Sequence, residues 1–183
     1  MDKKKELLKL IRTQALTTGR EVVLSSGKKS TCYVDIRKIS LDSQGLGLIS
    51  ALFLDFVKEN RIDYVGGPTI GADPIIGGIL VKACEENYPL KGFLVRKKPK
   101  SHGLKSQIEG AIPQESSRIL LIDDVCTTGS SLVLVLERLK EISLEPAWCA
   151  CVVDRQEGAR QNIEKMGINF FSLFTLKEIL QDV

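Results

Sequence analysis

Residues 118–131 read RILLIDDVCTTGSS, and the fold turns on how they are read. Four consecutive apolar residues, Ile119 to Ile122, lead into two adjacent carboxylates, Asp123 and Asp124. A short apolar run of this length, closed by a Gly- and Ser-containing turn, fits a strand covered on both faces. The strand delivers its acids to a loop of Thr127, Thr128, Gly129, Ser130 and Ser131. Gly129 relaxes the backbone there, and successive N–H groups in such a turn form a concave anion site. The helix predicted next, SSLVLVLERLKEI, adds its N-terminal partial charge to the same point. Such a loop accommodates a phosphate but leaves the acids unexplained, since they repel one. A ligand carrying both a phosphate and hydroxyl donors resolves the conflict, because ionised carboxylates only accept hydrogen bonds. A sugar phosphate is such a ligand, and a divalent cation nearby eases the remaining repulsion. Capping of the next helix by Asp124 and Ser130 is expected alongside this role. The loop lacks the Gly-Lys-Ser/Thr ending of a Walker A motif.

Outward from this stretch, strands alternate with helices. DYVGG, KGFLVR, RILLIDD, EPAWCACVVD and INFFSLF read as strands; SQGLGLISALFLDFVKEN, the end of PTIGADPIIGGILVKACEEN, GARQNIEKMG and TLKEILQDV read as helices. This rhythm predicts an α/β fold, a mostly parallel central sheet flanked by helices. Upstream, residues 3–16 place Leu7, Leu8, Ile11 and Leu16 at helical spacing, and EVVLSSGKKSTCYVDIRKI reads as two short strands about a turn. Residues 97–110 form one long polar stretch. Ligands of open α/β sheets bind beyond the carboxyl ends of the strands. Polar loops stand there after Gly67, Arg96 and Asp124.

The 183 residues suit one domain, 1–183, with no repeat or linker. The chain is 43% hydrophobic and 27% charged, ordinary for a soluble protein. No apolar run approaches the roughly 20 residues of a bilayer span. The beginning, MDKKKE, leads into an amphipathic pattern instead of a signal-peptide core, so a cytoplasmic location without membrane contact is expected. Five cysteines, widely scattered and odd in number, read as reduced thiols that pack as small hydrophobes. Cys149 and Cys151 have no second Cys/His pair with which to hold a metal, and no metal ligand is nominated. The net charge is +3, yet residues 96–105 carry five formal positive charges and the only histidine, leaving −2 for the rest. That distribution speaks against a nucleic-acid footprint and for a compact polyanion.

ILLIDDVCTTGSS closely resembles the phosphoribosyl pyrophosphate (PRPP) motif of type I phosphoribosyltransferases. The resemblance implies that Asp123 and Asp124 hold the ribose hydroxyls while Val125, Cys126, Thr127, Thr128, Gly129, Ser130 and Ser131 cradle the 5′-phosphate. RKKPKSHG at 96–103 is similar to the catalytic loop of the orotate phosphoribosyltransferases. Carried over, Arg96, Lys97, Lys100 and His102 contact pyrophosphate, and Lys97, Lys100, His102 and Asp124 form the catalytic set. In that family the loop enters the neighbouring subunit's site, which implies a homodimer with shared active sites. GGPTIGADPI at 66–75 resembles the family's second phosphate loop. VVLSSGKKSTCYVDIRK resembles its hairpin over the base, and VVDRQEG the stretch whose arginine, here Arg155, meets orotate; Thr127 takes the other side of the ring. The implied fold is the type I phosphoribosyltransferase fold, with a small hood from about residues 1–40 plus C-terminal elements over a PRPP-binding core at about 60–155. The implied activity transfers the phosphoribosyl group from PRPP to orotate with Mg²⁺, giving orotidine 5′-phosphate and pyrophosphate, the fifth step of de novo UMP synthesis.

Two positions depart from the pattern. Ser25 and Gly71 stand where some orotate enzymes carry lysine, and Lys28 or Lys29 is the candidate replacement. Two rival readings share the PRPP loop. A purine phosphoribosyltransferase would not need the Arg-Lys-x-x-Lys-x-His-Gly pattern or the Asp154-Arg155 pair. A PRPP-sensing regulator would need a DNA-binding segment, for which the region before residue 20 is too short.

Overall fold

The computed structural model describes residues 2–23, 29–96 and 107–181, with side chains described except at 20–30. Its centre is the predicted strand. β6 (Ile119–Cys126) pairs in parallel with β3 (Tyr64–Pro68) on one side and β7 (Trp148–Asp154) on the other. The sheet order is β5-β4-β3-β6-β7-β8, where β4 is Lys91–Val95, β5 Ile108–Gly110 and β8 Asn169–Thr175. All pairings are parallel except β4 with β5.

The apolar run is unbroken because both faces of β6 are covered. Leu120 and Ile122 face one core with α3 (Ser43–Glu59) and α4 (Ala72–Glu85). Ile119 and Leu121 face a second core with α5 (Ser130–Lys140) and α6 (Ala159–Glu164). All four are at most 1% exposed. At about 25 cal/mol per Å² of apolar surface removed from water, such side chains each favour folding by about 1.5–3 kcal/mol. The α/β architecture expected from the alternation is therefore present, with each of the five expected strands found as β3, β4, β6, β7 and β8.

The first forty residues add a separate two-stranded sheet. Helix α1 (Lys3–Leu10) opens into a π-helical turn, Ile11–Ala15, and the chain then enters β1 (Leu16–Val23), antiparallel to β2 (Lys29–Val34). Leu7 and Ile11, expected on the helical face, are fully buried, with Leu8 half-buried beside them and Ala15 continuing the four-residue spacing. Leu16, expected there too, is not: it pairs with Val34 as the first residue of β1. The β-branched Thr17 and Thr18 that follow favour strand, and the register slips between Thr18 and Val22. A short helix, α2 (Arg37–Ser40), leads from β2 into α3, whose N-terminus Asp42 caps by accepting from the amides of Gln44 and Gly45 at 3.0 Å.

The two ends of the chain meet. The closing helix α7 (Leu176–Leu180) starts with a Thr175–Glu178 capping box and ends against Arg12. The guanidinium of Arg12 donates to the carbonyls of Glu178 and Ile179 at 2.9 Å and to that of Gln181. These are orphan carbonyls of a helix C-terminus, which cations satisfy well.

Three expectations need correction. The polar stretch 97–110 is not loop throughout, since Ile108–Gly110 forms the edge strand β5; three residues with one apolar side chain carry no periodic signal. Helix α5 has Gly129 at its N-cap and no side-chain capping bond, so Asp124 and Ser130 do not cap it. Not every thiol packs in the core: Cys126, Cys149 and Cys151 are buried, Cys32 is half-buried and Cys84 is exposed, all five unbridged. Among the described residues no helix is long and apolar enough to cross a membrane.

Candidate active site

A cavity of about 350 Å³ opens at the carboxyl end of β6. Three walls form it: the tip of β6 with Asp123, Asp124 and Val125, the end of β3 and the β3–α4 loop with Pro68 to Gly71, and the end of β2 and the segment after it with Tyr33, Asp35 and Arg37. Thr127, Ser131 and Arg155 complete the lining. A smaller chamber of about 50 Å³ adjoins it, enclosed by Asp123 and by Val125 through Ser131.

The two acids divide between these spaces. Successive side chains of a strand point to opposite faces. Asp123 follows the parity of Ile119 and Leu121, toward the α5 side, and borders both chambers. Asp124 follows Leu120 and Ile122, toward α4, and borders only the larger one. Each carboxylate is fixed by the next amide: Asp124 N–H donates to Asp123 Oδ1 at 2.9 Å, and Val125 N–H to Asp124 Oδ1 at 2.8 Å. Asp123 is 8% exposed, a buried acid facing a polar opening.

The smaller chamber has the form of an anion nest. Gly129 takes φ +75°, the left-handed region where a side chain is strained. A Cβ there would also stand 3.3 Å from Ala159 Cα. Helix α6 pins the loop from behind, with Asn162 Nδ2 donating to the carbonyl of Thr128 at 2.9 Å. With no side chain capping α5, its first amides face the chamber, as anion binding at a helix N-terminus requires.

The opposite wall lies against the second loop. The Thr69–Ile70 peptide is cis, and Ile70 is 72% exposed. Gly71 stands directly beneath Asp124: a Cβ at 71 would be 2.5 Å from Asp124 Cγ and within 2.7 Å of both carboxylate oxygens. The lysine that some orotate enzymes carry at this point therefore has no room here without moving Asp124.

Arg155 enters from the end of β7. Its backbone N–H donates to the carbonyl of Cys126 at 2.9 Å, which ties it to the central loop. Its side chain is 3% exposed, with Nε on Glu157 at 2.9 Å and Nη1 on the carbonyl of Cys32, a hairpin residue, at 3.2 Å. The guanidinium thus joins the sheet to the hairpin at the cavity's edge. Cys126, inside the motif, is 1% exposed, and its hydrogen bond with Cys151, together with burial, pushes its thiol pKa well up, the setting of an inert structural thiol.

Of the residues singled out from sequence, Asp123, Asp124, Val125, Cys126, Thr127, Thr128, Gly129, Ser130, Ser131 and Arg155 surround these two chambers. Arg96 stands apart from them. Its Nη1 pairs with Glu109 of β5 at 2.9 Å, and its amide bonds to the carbonyl of Gln107, at the mouth of the stretch that follows. Lys97, Lys100 and His102 lie outside the described residues, as do Ser25, Lys28 and the side chain of Lys29. Tyr33, Asp35, Arg37, Thr69 and Ile70 were not singled out, although both segments that carry them were. The one available signal was DIRK, where an acid two residues before a cation leaves a strand. Among the described residues no three His, Cys, Asp or Glu side chains converge to hold a metal.

Comparison with known proteins places this geometry. The family model described as "Phosphoribosyl transferase domain" matches residues 47–176. The orotate phosphoribosyltransferase of Aquifex aeolicus (strain VF5) is 43% identical over 182 residues, 98% of this chain and 99% of the relative. The crystal structure of Mycobacterium tuberculosis H37Rv orotate phosphoribosyltransferase with Fe(III) dicitrate superposes with a TM-score of 0.81 at 32% identity, covering 97% of this chain and 99% of that one. The same enzyme in complex with PRPP gives a TM-score of 0.77 at 30% identity, covering 97% and 98%.

Proposed function

The chain belongs to the phosphoribosyltransferase family, in its orotate phosphoribosyltransferase branch, and from that premise we propose how its residues transfer the 5-phosphoribosyl group from PRPP to orotate. The observation that carries the reading is the split placement of Asp123 and Asp124 at the rim shared by an anion nest and a larger cavity. A pentose with a 5′-phosphate matches that division. The phosphate sits on the amides and hydroxyls of Thr127 to Ser131, and the carboxylates accept from the 2′- and 3′-hydroxyls.

Arg155 and Thr127 then bracket the acceptor ring. A guanidinium suits a planar carboxylated base, because its donors form a rigid fork. The buried tie to Glu157 and to the hairpin carbonyl of Cys32 fixes that fork before substrate arrives. The hairpin supplies the roof of a hood built from about residues 1–40 and the C-terminal elements, over a PRPP-binding core at about 60–155. The bond from C1′ to pyrophosphate loosens first and gives the sugar oxocarbenium character. The negatively charged acids stand close to that developing positive charge, an electrostatic arrangement set in advance. No covalent nucleophile takes part.

The leaving group is the second concern. Arg96, Lys97, Lys100 and His102 provide the charge for it, with Lys97, Lys100 and His102 completing the catalytic set around Asp124. They belong to the neighbouring subunit's site, so a homodimer with shared sites is part of the proposal. Lys28 or Lys29 supplies cationic character that Ser25 and Gly71 cannot. Magnesium fits this donor set as a substrate-borne ion. With Asp35 engaged by Arg37, the carboxylates left for a cation are those of Asp123 and Asp124, too few for an all-protein cage, and Mg²⁺ is ordinarily bound by one or two carboxylates plus substrate phosphates. When bound, it neutralises charge building on the pyrophosphate. A cytoplasmic location follows from this place in UMP synthesis and agrees with the missing membrane-crossing helix among the described residues.

The deciding measurement is base consumption with PRPP and Mg²⁺, run in parallel on orotate, adenine and hypoxanthine. Loss of orotate absorbance with release of pyrophosphate is expected. Preference for a purine, or binding of PRPP without turnover, would refute the assignment. Mixed dimers of Lys100→Ala and Asp124→Asn subunits should regain activity if the loop serves its neighbour; no recovery would refute sharing.

A further inference from the structure

The larger cavity has an imbalance that the roles above do not settle. Its described lining includes three carboxylates, Asp35, Asp123 and Asp124, and two cations, Arg37 and Arg155. A diphosphate entering there meets strong repulsion unless a cation faces it. Arg155 is committed elsewhere, 3% exposed and bonded to Glu157 and to the hairpin. Position 71 cannot contribute, since Asp124 occupies the space of its Cβ. The remaining cation is Arg37, whose side chain is 48% exposed.

Arg37 is held unusually well for a half-exposed arginine. Asp35 receives its Nε at 2.8 Å, its Nη2 at 3.2 Å and its backbone N–H at 3.2 Å. Nη2 also reaches the Tyr33 hydroxyl at 3.4 Å. The pairing keeps the Asp35 carboxyl below its ordinary pKa, chiefly through the Arg37 hydrogen bond. Nη1 has no partner among the described residues. The guanidinium lines the same cavity as Gly71 and Asp124, senses the Asp124 charge, and does not border the nest. A fork fixed along one edge, with its other edge unspent, is a pre-organised anion receptor.

We propose that Arg37, clamped by Asp35 on the cavity rim across from Asp124, binds the pyrophosphate group of PRPP through its uncommitted Nη1 edge. Asp35 is its positioning residue. The proposal rests on the phosphoribosyl-transfer reading and adds to its loop cations one from the wall of the cavity itself.

The test compares Arg37→Gln, Arg37→Lys and Asp35→Asn with the parent protein. Calorimetric titration with magnesium pyrophosphate and, separately, with ribose 5-phosphate is paired with KM values for PRPP and orotate. Arg37→Gln should weaken pyrophosphate binding and raise the KM for PRPP about tenfold, the scale of one charge-assisted hydrogen bond. Ribose 5-phosphate affinity and the KM for orotate should hold within twofold. Arg37→Lys should recover only part of the loss, since lysine keeps the charge and loses the fork, and Asp35→Asn should fall between Arg37→Gln and the parent. Retained ribose 5-phosphate binding shows that each variant is folded. Unchanged pyrophosphate binding in Arg37→Gln, or an equal loss for ribose 5-phosphate or orotate, would overturn the proposal. If the parent protein binds pyrophosphate through Arg37 yet consumes no orotate, the transfer reading fails and the Arg37 site stands.

Discussion

The two sides of the cavity are built in opposite ways. On one side, the β6 tip and the nest are extensions of a strand buried on both faces, and every polar group hangs from backbone that two cores hold. On the other, Tyr33 to Arg37 lead out of a two-stranded sheet whose register slips; Val34 and Ile36 anchor the backbone in one core, and a side-chain clamp orders Asp35 and Arg37. The first wall is rigid through burial. The second has its backbone seated in one core, while its charged side chains are held by one ion pair. Precise placement of hydroxyl acceptors belongs on the first, and a contact that can yield as product leaves suits the second.

The harshest way to probe this contrast is to neutralise the rigid wall. The double change Asp123→Asn with Asp124→Asn should lower kcat/KM on the order of 10³-fold, since each charged acceptor lost is worth about 1.5–3 kcal/mol. Thermal stability should stay close to parent, because an asparagine amide oxygen can still accept from the neighbouring N–H that each carboxylate now holds. A loss below tenfold would mean the β6 tip does not grip the sugar.

A subtler route leaves the chemistry of the acids intact. Gly71→Ala places a methyl 2.5 Å from Asp124 Cγ and forces the carboxylate off its seat. A decrease of about 30-fold in kcat/KM is expected, one carboxylate's share of the contact energy. Parental kcat/KM in a folded Gly71→Ala protein would show that Asp124 works from some other position. Arg155→Lys should raise the KM for orotate about tenfold while that for PRPP holds, because a lysine keeps the charge and loses the fork. Equal effects on both substrates would remove Arg155 from the base side.

The smallest effect concerns acid. The Asp35 pKa is depressed in the folded state, so its clamp is complete above the ordinary carboxylate value of about 3.9 and is lost as pH falls through the lower folded value. The KM for PRPP should therefore show no Asp35-dependent step between pH 5 and 8, in parent or Asp35→Asn alike. A step near neutrality that Asp35→Asn abolishes would contradict the clamp.

The rigid wall was also the legible one. ILLI followed by two acids and a Thr/Gly/Ser turn states its burial, its end and its chemistry in consecutive residues, and the structure has them in one place. Arg155 was within reach for the same reason, at the end of another buried run. The second wall was obscure because its parts reveal nothing alone. Asp35 and Arg37 lie in the segment that resembles the hairpin over the base, and nothing local gives them a role until the fold sets them in one cavity with Asp124. The clash between Gly71 and Asp124 joins residues 53 positions apart, and no local pattern reports a distance of that kind. Leu16 was misread because an apolar residue serves equally as the last contact of a helix or the first of a strand. Edge strand β5 escaped because its hydrogen bonds, and not its side chains, define it.

The opposed acids at the β6 tip also impose a shape on anything designed to block this protein. One strand end stands between the small chamber and the large one like the horn of a saddle, with Asp123 facing both and Asp124 only the larger. A molecule that fills both must curve over that horn. A stiff, straight inhibitor reaches one chamber alone, so a ring with a bent phosphonate arm is the frame that medicinal chemistry should start from.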